Sequence, residues 1–361
     1  MKQIQDLTQL GLNITEKEFR DINALSYSVL STMDREGPAA VGKEVEMTEP
    51  LIHGTLVDSM MDGTYNANDY YITAGVSIGD GIKGAVDALL SHLESLTDVI
   101  DVDLSSWKTE LIHVLETQNI DYYAKKDADW VSEKIMKDEV AKAYFKDVIS
   151  AKGKTVITLP FLQNAEKSVM ILRNHEFTKD IFKNYKTPIQ AVYQFKYEFV
   201  VKGHKFKGML DRLIIDHEKK TIQPYDLKTG GKPAKEFENS FFYWRYDLQA
   251  LLYHIICLRI QKLYYPDYEI KDFKFVYIGR FEHKPLIWNV PHNLLLHIVD
   301  GYTRNGKTYK GLIPLIKDYD WYASNSFKVD YPEKVYSNKG VIEINDFNII
   351  SVKENDKNRK K

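Results

Sequence analysis

The sequence predicts a mixed α/β (α+β) fold, and three observations carry that prediction. The chain changes texture near Pro188, from helical spacing of apolar residues to alternating, β-branched and aromatic runs. After that point the elements read strand, strand, strand, helix, strand. The composition, 44% hydrophobic, 12% aromatic and 28% charged, is that of a folded soluble chain, and 361 residues can bury a substantial core. The single cysteine, Cys257, excludes an intramolecular disulfide, a cysteine-held iron–sulfur cluster and a Cys-rich zinc site, which favours a reducing, cytoplasmic setting. The polar N-terminus lacks the apolar core of a signal peptide, and no run approaches the ~20 apolar residues of a membrane span. With 49 Lys+Arg against 51 Asp+Glu the net charge is −2, which disfavours coating nucleic acid by charge alone but allows a local basic groove.

Residues 1–20 and the charged tail 354–361 read as flexible ends. Asp21 to Leu30 starts a helix that Gly37-Pro38 breaks, and a short helix is expected from Pro50 to Met61. Asp129 to Lys186 has helical spacing, divided into two helices at Lys152-Gly153-Lys154 and Pro160. Val192 to Val201 and Phe206 to Ile215 are strands joined by the turn Lys202-Gly203-His204. A polar turn, Asp216 to Lys220, leads to a third strand, Thr221 to Lys228, which completes an antiparallel meander. Next come a Gly-Gly turn, an apolar helix from Phe241 to Ile260, and a strand from Lys274 to Phe281.

The acids of this core stand at informative places. Asp211 ends the second strand in GMLDRL, and Asp226 and Lys228 lie on the third in PYDLKTG. Residues two apart on a strand share a face, so Asp226 and Lys228 project together while Leu227 points into the core. Hairpin pairing sets Asp211 beside Asp226, and two carboxylates so close need a cation or a proton between them. Mg²⁺ suits such a site because it takes carboxylate oxygens and keeps several waters. A lysine beside it can orient a water or offset charge developing on phosphorus. On the next helix Gln249 and Tyr253, four apart, share one face. A bare D-x-K is more often a surface ion pair, and a lone Gln on an apolar helix more often a satisfied core residue.

Together, Gly208 and Asp211, then Asp226 and Lys228, then Gln249 and Tyr253 resemble the PD-(D/E)XK nuclease superfamily. Within it they are similar to the exonuclease branch of exodeoxyribonuclease VIII, phage lambda exonuclease and the RecB nuclease domain. The second acid is Asp rather than the commoner Glu, which the family tolerates. Ser26-Tyr27-Ser28-Val29-Leu30 matches the serine motif of that branch. Where a helix G-x-x-x-H should supply a metal-binding His, Gly54-Thr55-Leu56-Val57-Asp58 offers Asp58, an oxygen donor acceptable to Mg²⁺ or Mn²⁺; His53, across the Gly, is the alternative.

The resemblance spans roughly Asp21 to Phe281. It implies a restriction-endonuclease-like core, a mixed central sheet flanked by helices. A single nuclease domain would cover 21–353: a helical part 21–190, a catalytic αβ core 191–285 and a C-terminal extension 286–353. It further implies an exonuclease on double-stranded DNA ends, 5′→3′, in phage-type recombination inside a bacterial host. A single-strand-annealing partner and a homo-oligomeric ring belong to the same picture. Asp58, Asp211, Asp226 and the Leu227 carbonyl would hold Mg²⁺ or Mn²⁺, with Asp211, Asp226 and Lys228 catalytic. Ser26, Ser28, Arg245, Gln249 and Tyr253 would contact DNA. Lys205, Lys207, Arg212, Lys232 and Lys235 are further candidates for phosphates. The rival readings are an endonuclease of restriction or repair type and a non-catalytic DNA-binding protein; the intact acid–acid–Lys set argues against the latter. Finally, Gly301 to Thr308 satisfies G-x-x-x-x-G-K-[ST]. A helix precedes it rather than a strand, and Gly311 and Pro314 interrupt the segment after it, so a phosphate loop is not expected.

Overall fold

The computed structural model describes residues 7–43, 47–73, 78–117 and 126–341; the tail expected at 354–361 lies outside them. Contacts divide the chain into two units, Leu51–Ile171, and Met1–Pro50 with Leu172–Lys361. The sequence shows no linker at these borders because both fall inside helices, Glu49–Asp62 and Leu159–Asn174, so the reading of one domain over 21–353 had no signal for them.

The unit 51–171 is mostly helical. Helices Asp80–Leu96, Lys108–Thr117, Ala128–Lys137 and Glu139–Ser150 bury Leu89, Leu93, Leu111, Ile135 and Phe145 among themselves. Two short strands, β1 (Tyr70–Thr73) and β2 (Thr155–Thr158), pair in parallel. The two helices expected over 129–186 are thus four with a strand between them. Asp138 caps the second of them by accepting from Val140 and Ala141, an N-cap that spacing alone had not separated.

The other unit is built on a sheet of β3 (Ile189–Val201), β4 (His204–Asp216), β5 (Thr221–Gly230), β6 (Glu269–Ile270), β7 (Phe273–Gly279) and β8 (Pro285–Val290). Its order is β3-β4-β5-β7-β8, with β6 beside β5. The predicted meander is present: β3, β4 and β5 run antiparallel. β7 pairs with β5 in parallel, because the connection crosses over through helices, and β8 closes the edge antiparallel. The expected helix 241–260 is two, Phe237–Tyr243 and Tyr246–Tyr264, broken where Arg245 takes φ 60°. The longer helix lies on the sheet with Leu248, Leu252, Ile256 and Ile260 fully buried or nearly so. Gly208 is what lets it approach: a Cβ there would stand 2.7 Å from Ile256 Cδ1 and 3.1 Å from Tyr253 Cε1.

Residues 7–20 are folded where frayed ends were expected. Leu7, Leu10 and Phe19 are buried, and the Leu12 N–H donates to the Lys196 carbonyl at 2.8 Å. Thr15 and Glu18 form a capping box that starts the helix Glu16–Asp21. Near the other end, the phosphate-loop look-alike is a hairpin, β9 (Gly301–Arg304) and β10 (Lys307–Lys310), turning at Asn305-Gly306 with φ 51° and 76°.

Candidate active site

The site begins with an irregularity in β4. Before Asp211 the side chains that reach the core beneath the long helix are Phe206 and Leu210; after it they are Leu213 and Ile215. Alternation therefore skips one place between Leu210 and Leu213. β3 skips with it, from Phe195 to Val192, and Gln194 between them takes φ 46°. The β4–β5 ladder stops at Arg212–Tyr225, and the Asp211 carboxylate takes over there, accepting from the Leu227 N–H at 2.8 Å. Strict alternation would have put Asp211 on the face opposite Gly208. The skip turns it toward Asp226 instead. β4 also runs on to Asp216, so Asp211 lies mid-strand rather than at a strand end.

Asp226 and Lys228 project together from β5, as their spacing requires. Asp226 is 1% exposed and its Oδ2 lies 2.5 Å from Lys228 Nζ as an ion pair. Its Oδ1 accepts from Gln249 Nε2 at 2.7 Å, and the Asp211 carboxyl stands within hydrogen-bonding reach. Burial pushes the Asp226 carboxyl up against the opposing pull of Lys228. For Lys228 burial disfavours the charge, but the Asp226, Tyr246 and Asp211 side chains outweigh it and hold the ammonium well above its usual range. Lys228 Nζ lies 4.9 Å from the Tyr246 ring centre and 5.8 Å from that of Phe275.

Two carboxylates face one ammonium here, so the pair carries an excess of negative charge that a hard divalent cation would match. The donors within this unit are the Asp211 and Asp226 oxygens and the Leu227 main chain, and such oxygen donors fit Mg²⁺ or Mn²⁺ completed by water. Among the described residues, no group of three or more His, Cys, Asp or Glu stands together as a metal cluster. The two side chains considered for a third ligand lie on Glu49–Asp62. Asp58 is half-buried there, whereas His53 is 1% exposed, with its Nε2 2.9 Å from Asn164 Oδ1 and its ring edge-on to Phe161.

The residues expected to touch DNA divide into two sets. Ser26 and Ser28, with hydroxyls 2.8 Å apart, sit at the start of the helix Tyr27–Glu36, and Ser28 is exposed. Tyr27 between them is half-buried and feels the charges of Lys228 and Asp226, which sets this helix start beside the carboxylates. Gln249 and Tyr253 are 4% and 8% exposed and stand behind the carboxylates, Gln249 holding Asp226 and Tyr253 packing on Gly208. Buried in this way, neither offers a surface to a strand. Arg245 departs furthest from expectation. It is 2% exposed, ion-paired to Asp247 and Asp34, and donates to the Lys310 carbonyl, so its guanidinium has no donor facing solvent. Arg212 is likewise committed, to the Ile181 and Lys183 carbonyls, and Lys207 to those of Phe19 and Ile22. Lys232 and Lys235, just beyond β5, remain exposed.

Sequence reasoning had no signal for Asp34 and Asp247, which hold Arg245, or for Tyr246, over whose ring the lysine lies; each is an ordinary residue until the fold brings its partner. A family model described as PD-(D/E)XK nuclease superfamily matches residues 49–280, more than half of the chain. No curated protein matches it.

Proposed function

Because this chain belongs to the PD-(D/E)XK nuclease superfamily, we propose that it hydrolyses double-stranded DNA from its ends with the help of Mg²⁺ or Mn²⁺. The observation that carries this reading is the meeting of Asp211 and Asp226 beside Lys228 at the point where the β4–β5 ladder stops. Asp211, Asp226 and the Leu227 carbonyl would hold the cation, and Asp58 would be the third side-chain ligand on the chemistry of its carboxylate. His53, already engaged with Asn164, is the alternative. A divalent ion in that place would supply Lewis-acid charge to the scissile phosphate. Lys228, kept as an ammonium, donates toward the attacking water or the phosphate oxygens and offsets charge that develops there. Gln249 fixes the rotamer of Asp226 through its 2.7 Å hydrogen bond, and Ser26 and Ser28 offer hydroxyl donors to a phosphate at the helix start.

End dependence, 5′→3′ polarity, a ring that encloses the duplex, a single-strand-annealing partner and a place in phage recombination rest on the resemblance to the exonuclease branch. The test compares closed, nicked and linearised plasmid at equal concentration with and without Mg²⁺. Progressive loss of the linear form alone, only with the metal, is expected. Discrete fragments from the closed circle would replace this reading with an endonuclease of restriction type.

A further inference from the structure

We propose that Tyr243 and Trp244 are a stacking platform for unpaired bases of the DNA strand being cut, an inference that rests on the nuclease reading. Most aromatic side chains around the centre are buried or packed against the core, among them Phe237, Phe241 and Tyr246. Tyr243 and Trp244 break that rule. They are 61% and 41% exposed, on consecutive positions at the joint between two helices.

The joint is held stiffly. Arg245 takes a left-handed conformation, φ 60°, which a non-glycine residue adopts at a cost, and its buried pairing with Asp34 and Asp247 fixes it there. A rigid turn that presents two rings to solvent suits base stacking, which needs flat surfaces with little freedom to lose; the rings stand edge to face at 89°, so each offers a face of its own. Arg35 adds a cation to the same surface: its guanidinium lies 4.4 Å from the Trp244 ring centre and 5.8 Å from that of Tyr243, with a buried Nε that has no partner among the described residues.

The platform connects to the catalytic centre within one unit. The Trp244 carbonyl accepts from the Tyr27 hydroxyl at 2.8 Å, the Tyr27 ring is 6.1 Å from that of Tyr246, and Lys228 Nζ lies over Tyr246. Arg35 also acts electrostatically on Tyr246. A strand whose phosphate is held at Lys228 passes these rings. Paired bases present no free face to them, so the platform selects nucleotides that are frayed or single-stranded, with sequence-independent stacking and an arginine cation supplying affinity.

The experiment measures binding of the full chain by fluorescence anisotropy in Ca²⁺, using a blunt duplex, the same duplex with mismatched terminal pairs, and a single-stranded oligonucleotide. Trp244→Ala and Tyr243→Ala should each weaken binding of the mismatched and single-stranded probes roughly 10-fold, and of the blunt duplex by less than about 2-fold. Trp244→Phe, which keeps a flat ring, should restore most of the loss. 2-Aminopurine at the terminal base should be quenched by the wild-type protein and not by Trp244→Ala. Equal loss on all three probes, no loss on any, or a change of oligomeric state in sedimentation would overturn the platform; the last would assign the rings to a protein interface. If the wild-type protein degrades linear duplex and Trp244→Ala binds every probe as well as it does, the platform fails and the nuclease reading stands. A wild-type protein that neither binds nor cuts DNA overturns both. Should Trp244→Ala not fold, Tyr243→Ala, the more exposed position, decides alone.

Discussion

Lys228 sits between two acids, and its charge is set by them rather than by its own burial. Removing it leaves Asp226 buried with Gln249 and the neighbouring Asp211 as its polar contacts, and removes the only ammonium that the residues around Asp226 place in ion-pair distance of it among those described. Lys228→Ala and Asp226→Ala are each expected to lower the cleavage rate of linear duplex by roughly 100-fold or more. Circular dichroism and DNA binding should change little. Wild-type rates in purified Lys228→Ala would sink the site assignment. The third ligand separates by metal affinity. Asp58→Ala should weaken Mn²⁺ binding in calorimetric titration more than His53→Ala does. His53→Ala should chiefly lower the melting temperature, because His53 is buried against Phe161 and bonded to Asn164. A larger loss of metal affinity in His53→Ala would exchange their roles.

At the scale of the element, the helix Tyr246–Tyr264 is tied at its start, through the Arg245 cluster, to the helix Tyr27–Glu36 and the β9–β10 hairpin, and it meets the sheet through its approach to Gly208. Arg245→Ala would leave Asp247, which is fully buried, with Tyr302 as its remaining side-chain donor in place of a guanidinium. Breaking such a pair costs about 3–5 kcal/mol. A drop of that size in urea unfolding is expected, and Arg245→Lys should not restore it because a lysine cannot make the two-pronged contact. A variant that folds like wild type and loses only a preference for 5′-phosphorylated ends would return Arg245 to the phosphate role. Gly208→Ala drives a methyl against Ile256 and Tyr253, and should cost about 1–3 kcal/mol while displacing Gln249 from Asp226. Cleavage should fall along with stability, measured together on one preparation.

For the whole molecule the clearest pH dependence comes from a residue away from the Asp211–Asp226 pair. His254, on the same long helix, is 4% exposed, and neither ring nitrogen has a hydrogen-bond partner among the described residues. Burial, and then the neighbouring His292 ring, push its pKa down to about 4, with Asp272 pulling the other way. The neutral ring is the folded form's preference, so its contribution is complete above the ordinary value of 6.5 and is lost as pH falls from there toward 4. The loss is on the order of 3 kcal/mol. Urea midpoints measured at pH 7.5 and pH 5 should fall more steeply for wild type than for His254→Leu; equal slopes would exclude His254 as the cause.

Local rules alone made four features legible in the chain: the mixed α/β class, the β3–β4–β5 meander, the common face of Asp226 and Lys228, and the rejection of a phosphate loop at Gly301 to Thr308. Those rules are period two on a strand, turn residues between strands, and the context a motif needs. The family resemblance was legible too, through spacing that ties Gly208, Asp211, Asp226, Lys228, Gln249 and Tyr253 together. The remaining features depend on partners distant in the chain, which only folding brings together. Gln249 and Tyr253 are oriented inward by what they pack against, and Arg245 is buried because Asp34, 211 positions away, comes to meet it. The division at 51 and 171 has no mark in composition because it cuts through continuous helices. The skip in β4 that turns Asp211 toward Asp226 is likewise invisible locally, since it takes the paired break at Gln194 on the neighbouring strand to make it. Periodicity records which residues share a face only while the strand stays regular, and the Asp211 and Asp226 carboxylates meet where it does not.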